Sequence, residues 1–334
     1  MTADMLSLLS ILIWQIAGAG SASPASAPVT EQVEMATSTG TIRGALVVPG
    51  GVDRVPIVLI IAGSGPTDRN GNSTLLPGKN NSYKMLAESL AAAGIASLRY
   101  DKRGLGASAR AAGAGESGLR FDTYVDDAVS WVAQLRADKR FSRVIVAGHS
   151  EGSLIGMLAA RKAQADAFVS IAGVVHRASE VLRDQLRPQI GALPALWEGN
   201  ETILASLERG ATVDALPPAV QAVPAMAQLY RPSVQPYLIS WFKYVPSVEI
   251  AALSVPVLIL QGTTDIQVSV DEAKGLKAAR PDAELILIDG MNHVMKHAPA
   301  DRTQNVATYS NPDLPIVPDV PNAIAAFVRR IGHP

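Results

Sequence analysis

The chain contains no cysteine. That absence excludes disulfide scaffolds, thiol nucleophiles and every cysteine-ligated zinc, haem or iron–sulfur site. Histidine is scarce, at five residues, and no H-E-x-x-H pattern occurs. Neither a metal nor another cofactor is expected. Net charge is lacking as well: 29 basic residues against 30 acidic ones leave −1. The basic footprint of a nucleic-acid binder is therefore missing, and no nucleic-acid partner is expected. No run beyond the N-terminal segment has the length and apolarity of a bilayer span. What the chain has in quantity is apolar side chains, 48% of residues against 18% charged. This excludes a wholly disordered chain and supplies core for two average domains or one large α/β unit.

Residues 6–16 form an apolar run interrupted by Ser7, Ser10 and Gln15, and small residues follow with Pro24 and Pro28. A short apolar core ahead of an A-x-A-like stretch reads as a secretory signal peptide over residues 1–23. An Ala/Ser/Pro-rich linker is expected over 24–37. Asp4 stands where such signals usually carry Lys or Arg. The expected location is periplasmic or secreted, with no stable membrane insertion once the signal is removed. A cytoplasmic protein with an apolar arm, or one anchored by an uncleaved N-terminus, is the alternative.

Further on, strand and helix signals alternate. Pro56 to Ile61 is a continuous β-branched run ending in Ala-Gly-Ser-Gly-Pro; strands of that kind are buried on both faces, under helices. Strands are predicted over 95–100, 144–147, 167–172, 255–260 and 284–288, and helices over 83–92, 123–135, 154–161 and 323–330. Residues 66–81, 101–118 and 298–320 read as loops. The alternation predicts an α/β fold with a mostly parallel sheet. It breaks at about Val174. Residues 175–250 are mostly helical and carry Tyr230, Tyr237, Trp241, Phe242 and Tyr244, which reads as a helical cap inserted into a core formed by 38–174 and 251–334.

Gly148-His149-Ser150-Glu151-Gly152 follows a β-branched strand and precedes a helix of small residues. A serine in so tight a strand-to-helix turn sits on a strained backbone with its hydroxyl above the sheet edge. Asp265 follows the strand 255–260, and His293 follows the strand 284–288. The order Ser150, Asp265, His293 is that of hydrolases rather than of the two common secreted protease classes. In this reading His293 takes the proton of Ser150 and passes it to the leaving group, while Asp265 fixes the imidazole tautomer and stabilises its cation. His297 competes for the base if a helical turn forms there, and Asp289 competes for the acid. His149 reads as a packing and hydrogen-bonding residue.

Acyl transfer needs two donors aimed at the developing oxyanion. The backbone N–H groups of Glu151 and Ser64 are the candidates, the latter because Gly63 and Gly65 let the chain approach. The Glu151 side chain either tunes the pocket or solvates its rim. Arg99 to Arg103 is dense in charge; it reads as a loop network with Asp68 and Arg69 that buttresses the Ser64 loop, with a substrate-carboxylate site as the alternative. Tyr230, Tyr237, Trp241 and Tyr244 are candidates for a pocket wall that favours acyl groups, since few charges lie near them in sequence.

With Gly148–Gly152, Asp265 and His293 placed, the chain resembles the α/β-hydrolases. More narrowly it resembles a bacterial exported branch of serine aminopeptidase-like and esterase-like members, through residues 61–72, 99–104, 148–153 and 261–266. The resemblance spans about residues 38–331. It implies an α/β-hydrolase fold with a mostly parallel sheet and an inserted cap, Ser150 as nucleophile, Asp265 as acid, His293 as base, and the main chains of Ser64 and Glu151 as oxyanion hole. Ala62 stands where many relatives carry histidine. The branch includes esterases, peptidases and lactonases. The expected activity is a serine hydrolase cleaving small to medium acyl esters through an acyl-enzyme. Amide or peptide hydrolysis, or lactone opening, is the second reading, and a non-catalytic binding protein on this scaffold is the remote one. The expected partner is a small-molecule ester or amide.

Overall fold

The computed structural model describes residues 27–113 and 115–331. The proposed signal peptide and the beginning of the linker lie outside the described residues. The remainder of that linker is not one. Val29–Thr37 is a strand, β1, paired antiparallel with β2 (Gly40–Val48) through a two-residue turn at Ser38–Thr39. Its composition hid it. β1 sits at the sheet edge, so only Val33 and Met35 pack inward, while Thr30, Gln32 and Glu34 are exposed polar residues of the kind that blunt an edge.

From β3 (Val55–Ile61) the alternation takes over: α1 (Ser82–Ala92), β4 (Ala96–Tyr100), α2 (Phe121–Ala137), β5 (Phe141–His149), α3 (Glu151–Lys162) and β6 (Ala167–Ile171). Among the described residues the sheet has eight strands in the order β1-β2-β4-β3-β5-β6-β7-β8, where β7 is Val257–Gly262 and β8 is Glu284–Ile288. The pairs β1·β2 and β2·β4 are antiparallel and all others parallel. The β3 run shows why it is apolar throughout. Ile57, Leu59 and Ile61 enter the core under α2 and α3, while Val58 and Ile60 enter the core on the opposite face. Alternate side chains of a strand point to opposite faces, and helices cover both.

Between β6 and β7 lie α4 (Ala178–Ile190), α5 (Pro194–Glu208), α6 (Pro218–Gln221), α7 (Pro224–Leu229), α8 (Gln235–Trp241) and α9 (Pro246–Ala251). Four of these helices begin at proline and a fifth carries proline at its second position. Proline is well suited there because its missing N–H would have no helical partner anyway. Ile203, Leu204, Leu207, Tyr230, Leu238 and Phe242 form an apolar core of the insertion's own. After β7 come α10 (Val270–Ala279), β8, α11 (Arg302–Ala307) and α12 (Asp319–Arg330). The segment 298–320, expected to be loop throughout, holds α11 and a short 3₁₀ turn at Thr308–Ser310. Asp301 caps α11 by accepting the N–H of Gln304, a local signal inside a polar stretch. No helix among the described residues is long and apolar enough to cross a membrane.

Candidate active site

Ser150 sits between β5 and α3 with φ 56° and ψ −123°, a backbone conformation that residues with a Cβ rarely adopt. The two glycines of the motif are demanded by crowding. A Cβ on Gly148 would collide with the carbonyl of Gly152, and a Cβ on Gly152 with the carbonyl of Ile61. Helix α3 therefore starts hard against β3 and β5. Its first N–H groups have no acceptor within the helix, and they carry the positive end of its dipole.

The loops after β7 and β8 are fastened to each other. Thr263 N–H donates to Ile288 O at 3.0 Å and Thr264 N–H to Met291 O at 3.1 Å. This brings Asp265 and His293 together: Nδ1 of His293 donates to Oδ2 of Asp265 at 2.8 Å. The other oxygen, Oδ1, accepts the N–H groups of Gln267 and Val268 at 2.8 and 3.0 Å. The Asp265 side chain is fully buried. Burial works to raise its pKa, but the facing His293 and the two backbone donors outweigh it and hold the carboxyl below its ordinary value. With Nδ1 so engaged, Nε2 of His293 is the nitrogen left for proton transfer.

The competitors are placed elsewhere. His297 is exposed, pairs with Met291 in an isolated antiparallel bridge and lays its ring on Gly290; no helical turn forms there. Asp289 is exposed and accepts the Thr263 hydroxyl at 3.0 Å, a turn residue. His149 is buried behind the site, its ring centroid 4.7 Å from that of His293. Its Nε2 faces the carbonyl of His293 at 2.7 Å and so carries the proton; its Nδ1 then accepts from the Tyr83 hydroxyl at 2.8 Å. Burial and the neighbouring His293 lower its pKa to about 3, so it stays neutral.

Tyr83 was invisible to sequence reasoning. It lies 66 residues from His149, in a helix with no motif. Its hydroxyl also accepts the N–H of Gly63 at 3.2 Å, completing the support behind the Ser64 loop where Ala62 offers none. The Arg99–Arg103 stretch does buttress. Asp101 accepts the N–H groups of Arg69 and Ala107 at 2.8 and 2.9 Å, Arg99 reaches Asn70, and Arg103 forks onto Asp127. Lys102 goes further: its Nζ donates to Gly63 O at 2.7 Å and to Glu151 Oε2 at 2.9 Å. Glu151 is therefore buried and paired, not a solvated rim residue, and its second oxygen accepts the Tyr237 hydroxyl.

A cavity of about 770 Å³ opens over Ser150, Ser64 and Glu151. Its walls are largely aliphatic, among them Leu119, Leu154, Val181 and Leu182, and Tyr237 and Trp241 from α8 also line it. Two of the four aromatic candidates do not. Tyr230 is buried in the insertion's core and donates to Asn200 Oδ1 at 2.6 Å. Tyr244 packs against Phe121 and bonds Asp122. Nor is the lining free of charge: Lys102, Arg103, Glu116 and Arg231 reach it from distant parts of the chain.

Residues 78–299 match the family described as Serine aminopeptidase, S33. Esterase EstD of Thermotoga maritima is 30% identical over 259 residues, covering 76% of this chain and 58% of that protein. The chain thus spans less than two thirds of that relative's length. Among solved structures, Est1E from Butyrivibrio proteoclasticus superposes with a TM-score of 0.58 at 17% identity, over 91% of this chain and 99% of that one. A thermophilic esterase from Thermogutta terrifontis superposes with a TM-score of 0.52 at 17% identity, over 90% and 99%. At such identities these two speak for a shared fold alone.

Proposed function

Because the chain belongs to the Serine aminopeptidase, S33, family of α/β-hydrolases, we propose that it is a serine hydrolase cleaving small to medium acyl esters. The observation that carries the reading is a serine on a strained turn, under an aliphatic cavity, with a histidine–aspartate pair 2.8 Å apart on the adjoining loops. In the proposed reaction Ser150 Oγ attacks the acyl carbon while its proton passes to His293 Nε2, and Asp265 stabilises the imidazolium. The oxyanion receives the N–H groups of Ser64 and Glu151. Collapse breaks the bond to the alcohol, which leaves with the His293 proton. Water, deprotonated by the same histidine, then attacks the acyl carbon, and the acid leaves as His293 returns that proton to Ser150 Oγ.

The acids of the cavity favour esters over aminoacyl amides. An aminopeptidase must receive a substrate ammonium on a carboxylate. Glu116 is held by Arg231 and Ser233, and Glu151 by Lys102 and Tyr237, so neither lining carboxylate is left unpaired. Esterase EstD is named for the same bond type. The test is a panel of p-nitrophenyl esters beside aminoacyl-naphthylamides, with Ser150→Ala and fluorophosphonate labelling as controls. Ester turnover and labelling should both vanish in Ser150→Ala; faster naphthylamide hydrolysis, or labelling at another serine, would sink the proposal. Export belongs to the same proposal. It rests on residues 1–23 alone, and recovery of uncleaved protein from the cytoplasm would refute it.

A further inference from the structure

We propose that Lys102 is a positioning residue for the oxyanion hole, one ammonium setting both backbone donors. The inference rests on the reading above, in which Ser150 is the nucleophile. Lys102 follows β4 and is 2% exposed. Its Nζ donates to the carbonyl of Gly63 and to the carboxylate of Glu151, and lies 5.2 Å from the centre of the Tyr124 ring.

The carbonyl of Gly63 and the N–H of Ser64 belong to one peptide plane. In a trans peptide they point to opposite sides. Holding the carbonyl on the ammonium fixes that plane and so fixes which way the Ser64 N–H points, in a loop that lines the cavity beside Ser150. The anchor is needed because glycine flanks Ser64 on both sides, and Gly65 has φ +70°. Such a loop has little intrinsic preference and its peptide is free to flip. The second donor is handled through the side chain. Glu151 is the first residue of α3 and its N–H has no helical acceptor. Its carboxylate is gripped by Lys102 on one oxygen and Tyr237 on the other, which fixes how the helix end is rotated. Lys102 touches no reacting atom; it acts through these two peptides.

The bland alternative is that the pair only neutralises two buried charges. The two differ in what fails when Lys102 is removed. Lys102→Met should lower kcat by on the order of 10–100-fold, with KM held within about threefold, since the lost interaction is felt mainly in the transition state. A trifluoromethyl ketone, which adds Ser150 Oγ and places an alkoxide in the hole, should lose affinity by the same factor as kcat. The matched methyl ketone, bound without an adduct, should be unaffected. Unchanged kcat, or equal losses for KM and both ketones, overturns the proposal. The double variant Lys102→Met/Glu151→Gln strands no buried charge and guards against misfolding. It should show the same kcat deficit, and recovery to wild-type kcat also overturns the proposal. Ser150→Ala that still turns over ester would sink both readings, whereas the Lys102 results bear on this one alone.

Discussion

Replacing Asp265 by asparagine is the sharpest probe of the site, because the change is one atom and every neighbour of that atom is known. In the native arrangement Oδ1 accepts the N–H groups of Gln267 and Val268, while Oδ2 accepts His293 Nδ1–H at 2.8 Å and Gln261 Nε2 at 3.3 Å. Asparagine can keep its carbonyl on the two backbone donors. Its NH₂ then replaces Oδ2 and presents donors to His293. The imidazole answers by carrying its proton on Nε2, the nitrogen that accepts from Ser150 in the proposed reaction. With the side chain fully buried, water has no route to repair the pair. A triad with the wrong tautomer loses on the order of 10⁴ in kcat, about 5.4 kcal/mol at 1.36 kcal/mol per factor of ten.

The assay is initial rates on p-nitrophenyl butyrate at saturation, with thermal melts to confirm the fold. Asp289→Asn, altering an exposed turn residue, should stay within about twofold of wild type. The pH dependence adds a check. Burial opposes the charge on Asp265, but His293 and the backbone donors depress its folded pKa. Its contribution to stability is therefore fully present above the unfolded value of about 3.9 and is lost only as pH falls through the lower folded value. The stability difference between wild type and Asp265→Asn, read from melts, should therefore shrink as pH falls below about 4. A loss below about tenfold, or an equal loss in Asp289→Asn, would refute the tautomer argument.

Two further outcomes follow from the same neighbourhood. His149 has a folded pKa lowered to about 3 by burial and His293, so the unfolded chain binds more protons below about 6.5; this group should cost about 2 kcal/mol of stability between pH 7 and 5. Urea midpoints at both pH values should show a shallower fall in His149→Gln than in wild type, and parallel falls would mean His149 is not kept neutral. Trp241→Ala should enlarge the cavity and move the optimum of kcat/KM across C2 to C16 esters to longer chains, whereas Tyr230→Phe should leave that profile in place and cost about 1–3 kcal/mol in a melt by leaving buried Asn200 short of a partner. A profile moved by Tyr230→Phe, or unmoved by Trp241→Ala, contradicts this assignment of the cavity wall.

What could be read in the sequence was whatever is carried by neighbours in the chain. The β3 run and the G-x-S-x-G turn are local, because burial on both faces and a crowded strand-to-helix junction each constrain adjacent residues. The positions of Asp265 and His293 were readable for a related reason: each follows a β-branched strand, and parallel strands deliver their ends to one edge. β1 was missed because an edge strand buries only one side and so lacks the apolar signal. The aromatics of the insertion were ambiguous because core and cavity wall select the same side chains. Only the fold shows that Tyr230 turns to Asn200 while Tyr237 turns to Glu151. Tyr83 meets His149 across 66 residues and Lys102 meets Glu151 across 49, and no local pattern records such meetings.

The insertion's private core has an evolutionary consequence. β6 and β7 are adjacent parallel strands, so everything between them is a detour from a connection that the sheet needs only in its shortest form. Mutations among Ile203, Leu204, Tyr230 and Phe242 are judged by the insertion's own packing, largely out of sight of the strands that present Ser150, Asp265 and His293. A different insertion could change what the cavity admits without moving the strand ends that carry those three residues. The toll on such exchange is small and locatable: a replacement must still offer a hydroxyl where Tyr237 meets Glu151 and an aromatic surface against Phe121.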